Sequence, residues 1–219
     1  MTLIGTDEES RLHPCSSVKS VVKNFLPATL LVLLSMSAPA AVRYVDVNSS
    51  GPTPPYTTWA TAASAIQDAI DVAVSGDEIV VTNGVYQTGG RAVVGTMTNR
   101  VAADKPLTVR SLNGPSVTLI IGATAVRCVY LTHWTALVGF TLTNGNANAG
   151  GGVFCESASA MVSNCVLSEN SARLGGGAYG GTLNDCALTG NVASFVAGLG
   201  FRAADEVWQR QVAQPRSTP

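Results

Sequence analysis

The chain nearly repeats itself. Residues 164–170 read N-C-V-L-S-E-N and residues 185–191 read D-C-A-L-T-G-N, which puts Cys165 and Cys186 21 positions apart. Upstream, Phe140 precedes Cys165 by 25 positions, and the glycine triplets beginning at Gly150 and Gly175 are also 25 apart. Aligned, G-F-T-L-T-N-G-N-A from Gly139, N-C-V-L-S-E-N-S-A and D-C-A-L-T-G-N-V-A are one unit with small insertions. A unit this small cannot bury its own apolar face and must stack on its neighbours, so the period dictates a solenoid. Leucine-rich repeats share the period but need several leucines per unit. With one leucine in each unit, a β-helix fits better.

In a parallel β-helix each coil contributes short strands whose alternate side chains point inward. Phe140 and Leu142, Cys165 and Leu167, and Cys186 and Leu188 are therefore expected to stack as columns inside the coil. Glycines let the backbone turn sharply between walls. Asn170 and Asn191 fall at one place in the unit, where an asparagine is expected to adopt a left-handed conformation and hydrogen-bond its counterpart one coil away.

The rest of the chain agrees with this fold class. Arg43–Val47 reads as a strand. The stretch T-W-A-T-A-A-S-A-I-Q-D-A-I-D-V-A-V-S-G-D-E-I reads as a helix, with Ile66 and Ile70 four apart, Ala62, Ala69 and Ala73 as small neighbours, and Ser75-Gly76 as the stop. E-I-V-V-T-N-G-V-Y-Q follows, with Asn83-Gly84 as a turn signal. P-L-T-V-R-S-L, V-T-L-I-I-G-A, R-C-V-Y-L-T and A-L-V-G-F-T-L-T-N-G are further short β-rich pieces, and helical periodicity is absent from Lys105 to about Gly198. The prediction is an all-β, right-handed parallel β-helix with an N-terminal capping helix. Composition points the same way: 22 glycines and only 12% charged residues, about half the ~25% usual in globular proteins.

Residues 43–198 resemble the exported right-handed parallel β-helix proteins of the pectin-lyase-like superfamily. The Y-V-D-V-N-S-S-G stretch and the helix after it are similar to the cap that plugs the open end of those solenoids. G-G-G-V-F…N-C-V-L-S-E-N and G-G-G-A-Y-G-G-T-L-N-D-C-A-L-T-G-N resemble the repeats of bacterial surface β-helices of the polymorphic outer-membrane protein type. That type carries Gly-Gly-Ala-Ile and Phe-x-x-Asn, where this chain has Gly-Gly-Gly-(Val/Ala) and Cys-x-Leu-x-x-Asn. The resemblance implies either a non-catalytic surface or secreted protein working in adhesion or glycan binding, or a polysaccharide lyase or glycoside hydrolase acting on acidic polysaccharide.

The boundaries follow. Residues 1–40 read as a signal peptide: Lys19 and Lys23 precede the apolar F-L-P-A-T-L-L-V-L-L-S-M-S, and Ala38–Ala40 gives the small-x-small cleavage pattern, so the mature chain is expected to begin at Ala41. The segment before Lys19 is longer and more acidic than a signal leader usually is, and an initiator at Val18 would remove it; an uncleaved anchor is the alternative. Cys15 precedes the apolar run, a poor place for a lipid-bearing cysteine. Residues 41–104 form the cap and first coils, and 105–200 the repeats. Residues 201–219 break the pattern: Ala204, Trp208 and Val212 are spaced for a short capping helix, and a slipped reading frame would also explain the change. The expected localisation is secreted or cell surface, with no transmembrane span in the mature chain.

A net charge of −1 without basic clusters argues against nucleic acid as the partner. An extracellular polysaccharide or a host or neighbouring cell surface fits better. Enzymes of this fold class need clustered carboxylates, to hold calcium or to serve as acid and base. Between Lys105 and Gly200 the acidic residues are Glu156, Glu169 and Asp185 alone, and Glu169 and Asp185 fall at different places in their units. No catalytic residue, metal ligand or cofactor is assigned. Asp68 and Asp71 belong to the polar side of the helix, and Asp77 and Glu78 to the loop and strand after it. Arg110, Arg127, Arg173 and His133 complete the titratable set beyond Lys105. His133 and Trp134, in L-T-H-W-T, are the candidate carbohydrate-binding residues, Trp134 as a stacking surface, with a half-buried turn as the plainer reading. Columns one coil apart are separated by roughly 4.8 Å, so Cys165 and Cys186 are read as buried thiols, with a bridge between them as the alternative.

Overall fold

The computed structural model describes residues 40–194 and the backbone of residues 203–204. The segment expected to be a signal peptide, apart from Ala40, and Cys15, Val18, Trp208 and Val212 lie outside the described residues. The chain winds about four turns of a parallel β-solenoid. One wall stacks Val42–Val45, Glu78–Val81, Thr108–Ser111, Ala136–Val138, Met161–Ser163 and Thr182–Asn184 in that order. A second stacks Gly84–Tyr86, Thr118–Ile121, Thr141–Thr143, Val166–Ser168 and Ala187–Thr189. A third stacks Arg91–Ala92, Thr98–Ala103, Val126–Leu131, Val153–Cys155 and Ala178–Tyr179. A short corner sheet of Asn146–Ala149, Ser171–Leu174 and Val192–Ala193 is inserted between the second and third walls. Among the described strands two pairings are antiparallel, Arg91–Ala92 with Thr98–Ala103 and Val192–Ala193 with Ala203–Ala204, beside an isolated antiparallel bridge between Ala123 and Val126.

The register explains the core. On the second wall Ile120, Leu142, Leu167 and Leu188 are successive partners. On the first, Ile79, Val109, Leu137, Val162 and Leu183 line up in the same way. Because strand side chains alternate, one row per wall faces inward, and the rows meet in a single apolar cluster. Phe140 and Cys165 are fully buried at the corner before the second wall, and Cys186 is half-buried in the last described coil.

The helix closes one end. Ile66–Val72 packs against the strands Val42–Val45, Glu78–Val81 and Thr98–Ala103, and its Ile66, Ala69 and Ile70 join the core cluster. Gln67 does a second job. Arg91–Ala92 pairs only with the start of its neighbour, at Asn99 and Thr98, which leaves the backbone of Ala102 at a sheet edge. The Gln67 amide covers it, accepting from Ala102 N at 2.7 Å and donating to Ala102 O at 3.3 Å. A buried edge is thereby satisfied by a side chain in place of a strand.

Two local expectations are corrected, on the helix and on the asparagines, and one is met. The helix is shorter than the sequence suggests: Trp59–Thr61 is a single 3-10 turn, and Ala63 is extended, pairing with Val45. Ala63 N donates to Tyr44 O, and Asp46 N to Ala63 O, both at 2.9 Å. The outer edge of the first wall thus takes up residues that an isolated Ala-rich segment would put in a helix. Asn83-Gly84 turns the chain as expected, at the corner between the first and second walls, where a Cβ on Gly84 would sit 2.6 Å from Val47 Cγ1. Asn170 and Asn191 do not adopt the left-handed conformation. That conformation falls one residue earlier, at Asn144 (φ 56°), Glu169 (φ 54°) and Gly190 (φ 66°), because the chain turns there and the asparagine that follows points inward.

Inside the corner the asparagines replace backbone pairing that the turn interrupts. Asn170 Nδ2 donates to Leu142 O at 2.9 Å, and its Oδ1 accepts from Gly145 N at 2.9 Å. Asn191 repeats the arrangement one coil on, donating to Leu167 O at 2.8 Å and accepting from Asn170 N at 3.1 Å. The two amides are also bonded directly, Asn170 Nδ2 to Asn191 Oδ1 at 3.0 Å.

Candidate functional site

The repeat shortens at one identifiable turn. Val153 is partnered with Ala178, 25 positions on, whereas Met161 is partnered with Thr182, 21 positions on. The missing residues belong to the connection from the third wall to the first, which runs through Glu156–Ala160 in one coil and only Gly180-Gly181 in the next. Both glycines have positive φ, 72° and 77°. A Cβ on Gly180 would lie 2.5 Å from Cys155 O, and one on Gly181 would lie 2.6 Å from Cys155 Sγ. This tight glycine turn leaves a notch of about 580 Å³ beside the longer turn, lined by Glu156, Ser157, Ala158, Leu174, Tyr179 and the glycines.

Tyr179 brings the end of an aromatic ladder to the notch. Tyr130, Phe154 and Tyr179 are register partners on the outer face of the third wall. Their rings are nearly parallel, with centroids 6.0 Å apart for the first pair and 5.2 Å for the second. Arg127 sits 4.9 Å above the Phe154 ring, while its guanidinium donates to Ala149 O, Gly150 O and Asn99 Oδ1. Tyr179 ends this ladder on the last described strand of the third wall. Phe154 stacks on one face of its ring, and Tyr179 is 42% exposed and borders the notch. A ring held in orientation by a stacked neighbour, with surface left open, is a platform for the apolar face of a ligand.

A polar network supports the opposite side. Glu156 Oε2 accepts from Thr132 Oγ1 at 2.8 Å, and the carboxylate also accepts from the Tyr130 hydroxyl. These two bonds outweigh its partial burial and hold Glu156 below the ordinary carboxylate range. Burial and the bond to Glu156 push the Tyr130 hydroxyl upward. Since Thr132 donates its one hydroxyl proton to Glu156, the His133 Nδ1 that lies 3.1 Å from the same oxygen must carry a hydrogen.

The structure places His133 and Trp134 on the exposed turn Thr132–Thr135, one coil before Glu156. Trp134 is 72% exposed at φ 57°, and its backbone N donates to Ser159 Oγ at 3.1 Å. Trp134, on its turn, and Tyr179, on the third-wall strand Ala178–Tyr179, are two coils apart, roughly 10 Å along the solenoid, with the Glu156 turn in the coil between them. The ladder residues Phe140, Leu142, Cys165, Leu167, Cys186, Leu188, Asn170 and Asn191 are in the interior and its corners, away from this surface. Glu169 and Asp185 are exposed at separate corners. Arg110 pairs with Glu78 at 2.6 Å, and Arg173 donates to Asn148 at 3.1 Å. Asp77 is occupied by the fold, accepting from Ala41 N, Val74 N and Arg43.

The sequence reading missed Tyr130, Phe154 and Tyr179, although the signal was present. Phe154 and Tyr179 each follow a Gly-Gly-Gly-(Val/Ala) at the same 25-residue period as the glycines. All four cysteines among the described residues are free thiols. Burial pushes Cys128 and Cys155 up to about 12, whereas a hydrogen bond from Cys165 outweighs burial at Cys186 and holds it down to about 7. Among the described residues no three His, Cys, Asp or Glu side chains converge as a metal site, and no helix is long and apolar enough to cross a membrane. Compared with protein-family models, curated proteins and solved structures, the chain matches none.

Proposed function

We propose that this protein is an exported β-helix of the pectin-lyase-like superfamily that binds glycan without cleaving it, in secreted form or at the cell surface, as an adhesion or polysaccharide-binding element. The observation that carries the reading is the exposed ring of Tyr179 over a notch that the glycine turn keeps open. Sugars present flat C–H faces to aromatic rings and hydroxyls to polar groups, and Glu156 and Ser157 supply the second need beside the first. Export is supported by the Lys19–Ala40 leader pattern. The superfamily assignment is supported by the solenoid and by the helix that closes its first coils.

A lyase or hydrolase is the alternative. It is less well supported because Glu156 is held ionised by two neutral donors, whereas a general acid needs a raised pKa. The test exposes the mature chain, beginning at Ala41, to a panel of neutral, amino-substituted and uronate polysaccharides, and follows both retention and the appearance of reducing or unsaturated ends. Retention without new ends is the expected result. New ends from any member of the panel would establish the enzymatic reading, and failure to retain any member would overturn glycan binding.

A further inference from the structure

Among the described residues, no basic side chain lines the notch beside its one carboxylate, Glu156. His133, bonded to Thr132, adds a weaker attraction to Glu156 than its two hydrogen bonds do. Tyr130 and Thr132 stabilise the carboxylate as neutral donors, which leaves its net charge in place. Arg127 lies over the Phe154 ring, with its donors directed to Ala149, Gly150 and Asn99. An aromatic face next to a carboxylate that no described cation pairs directly complements a ring that offers apolar C–H on one side and a cation at its rim. A uronate placed there would bring a second negative charge against Glu156.

We infer that the notch selects glycans bearing free amino groups, with a deacetylated amino sugar stacked on Tyr179 and its ammonium directed to Glu156. This inference rests on the glycan-binding reading above and names its ligand class. An ammonium gains twice in this setting, from a charge-assisted hydrogen bond to the carboxylate and from attraction to the ring face. Acetylating the amine removes the charge and both gains.

The test is calorimetric titration of the mature chain with four tetrasaccharides built from glucosamine, N-acetylglucosamine, glucose and galacturonate, in a mildly acidic, low-salt buffer that keeps the sugar amine charged. The glucosamine oligomer is expected to bind about tenfold tighter than its N-acetylated form, as one solvent-accessible charged hydrogen bond warrants. The galacturonate oligomer is expected to bind weakest. The preference should shrink with added salt and disappear in Glu156→Gln, whose exposed position and isosteric side chain keep the fold, as its circular dichroism would verify. Equal binding of the amino, acetylated and neutral oligomers, tightest binding of galacturonate, or a preference that survives in Glu156→Gln would each overturn the amino-sugar inference while leaving glycan binding in place. Absence of binding to all four would overturn both.

Discussion

Replacing Asn170 with alanine tests how the corners of this solenoid are held. Asn170 is fully buried; its truncation leaves Gly145 N–H, now bonded at 2.9 Å, without a partner inside the coil, and removes the amide bond that Leu142 C=O receives at 2.9 Å beside its strand pairing. An orphaned buried polar group costs about 1–3 kcal/mol, so the loss of this one is expected to cost about 1–3 kcal/mol. That is a large fraction of the ~5–15 kcal/mol that holds an ordinary domain folded. Asn148, exposed on the corner sheet and bonded only to Arg173, serves as the comparison, and its alanine variant should stay within about 0.5 kcal/mol of the parent. Equilibrium urea unfolding followed by far-ultraviolet circular dichroism measures both. A loss below about 0.5 kcal/mol for Asn170→Ala would refute the claim that side-chain amides replace backbone pairing at the corner.

Two further outcomes are expected. Brief alkylation of the folded protein with iodoacetamide at neutral pH should label Cys186 first and leave Cys128 and Cys155 untouched, because only the thiolate reacts and these two are held near 12; peptide mass spectrometry reads the order, and early labelling of Cys128 would contradict the packing. Although burial alone would raise it, Asp77 is held below its ordinary value of 3.8 by Val74 N, Ala41 N and Arg43. Its contribution to stability is therefore complete above that value and fades as the pH drops through the lower folded one, so acid unfolding should lose part of its pH dependence in Asp77→Asn.

The wall of the coil was legible because its grammar is periodic. Leu142, Leu167 and Leu188 recur at the spacing of the repeat, and their pairing follows from that spacing alone. Boundaries set by tertiary contacts were less legible. Ala63 reads as helix until the free edge beside Val45 is present to pair with it, and Asn170 reads as the turning residue until the preceding Glu169 is seen to turn. The candidate site was half legible. His133 and Trp134 attract attention as an unusual pair in a chain poor in aromatics, yet what orients Tyr179 is stacking on Phe154, a contact between residues 25 positions apart. The shortening from 25 to 21 was visible as a number, but its consequence, an open notch beside Glu156, depends on which turn lost the residues.

The central claim is that Tyr179 is the platform of a glycan-binding notch, and the most direct measurement compares Tyr179→Ala with the parent chain in titrations with the tightest-binding oligosaccharide. The ring is partly exposed and stacks on one neighbour, so the variant should remain folded with a stability loss of about 0.5–1.5 kcal/mol. Affinity is predicted to fall about tenfold or more, the weight of one stacked ring. A folded Tyr179→Ala protein that binds as tightly as the parent would contradict the account.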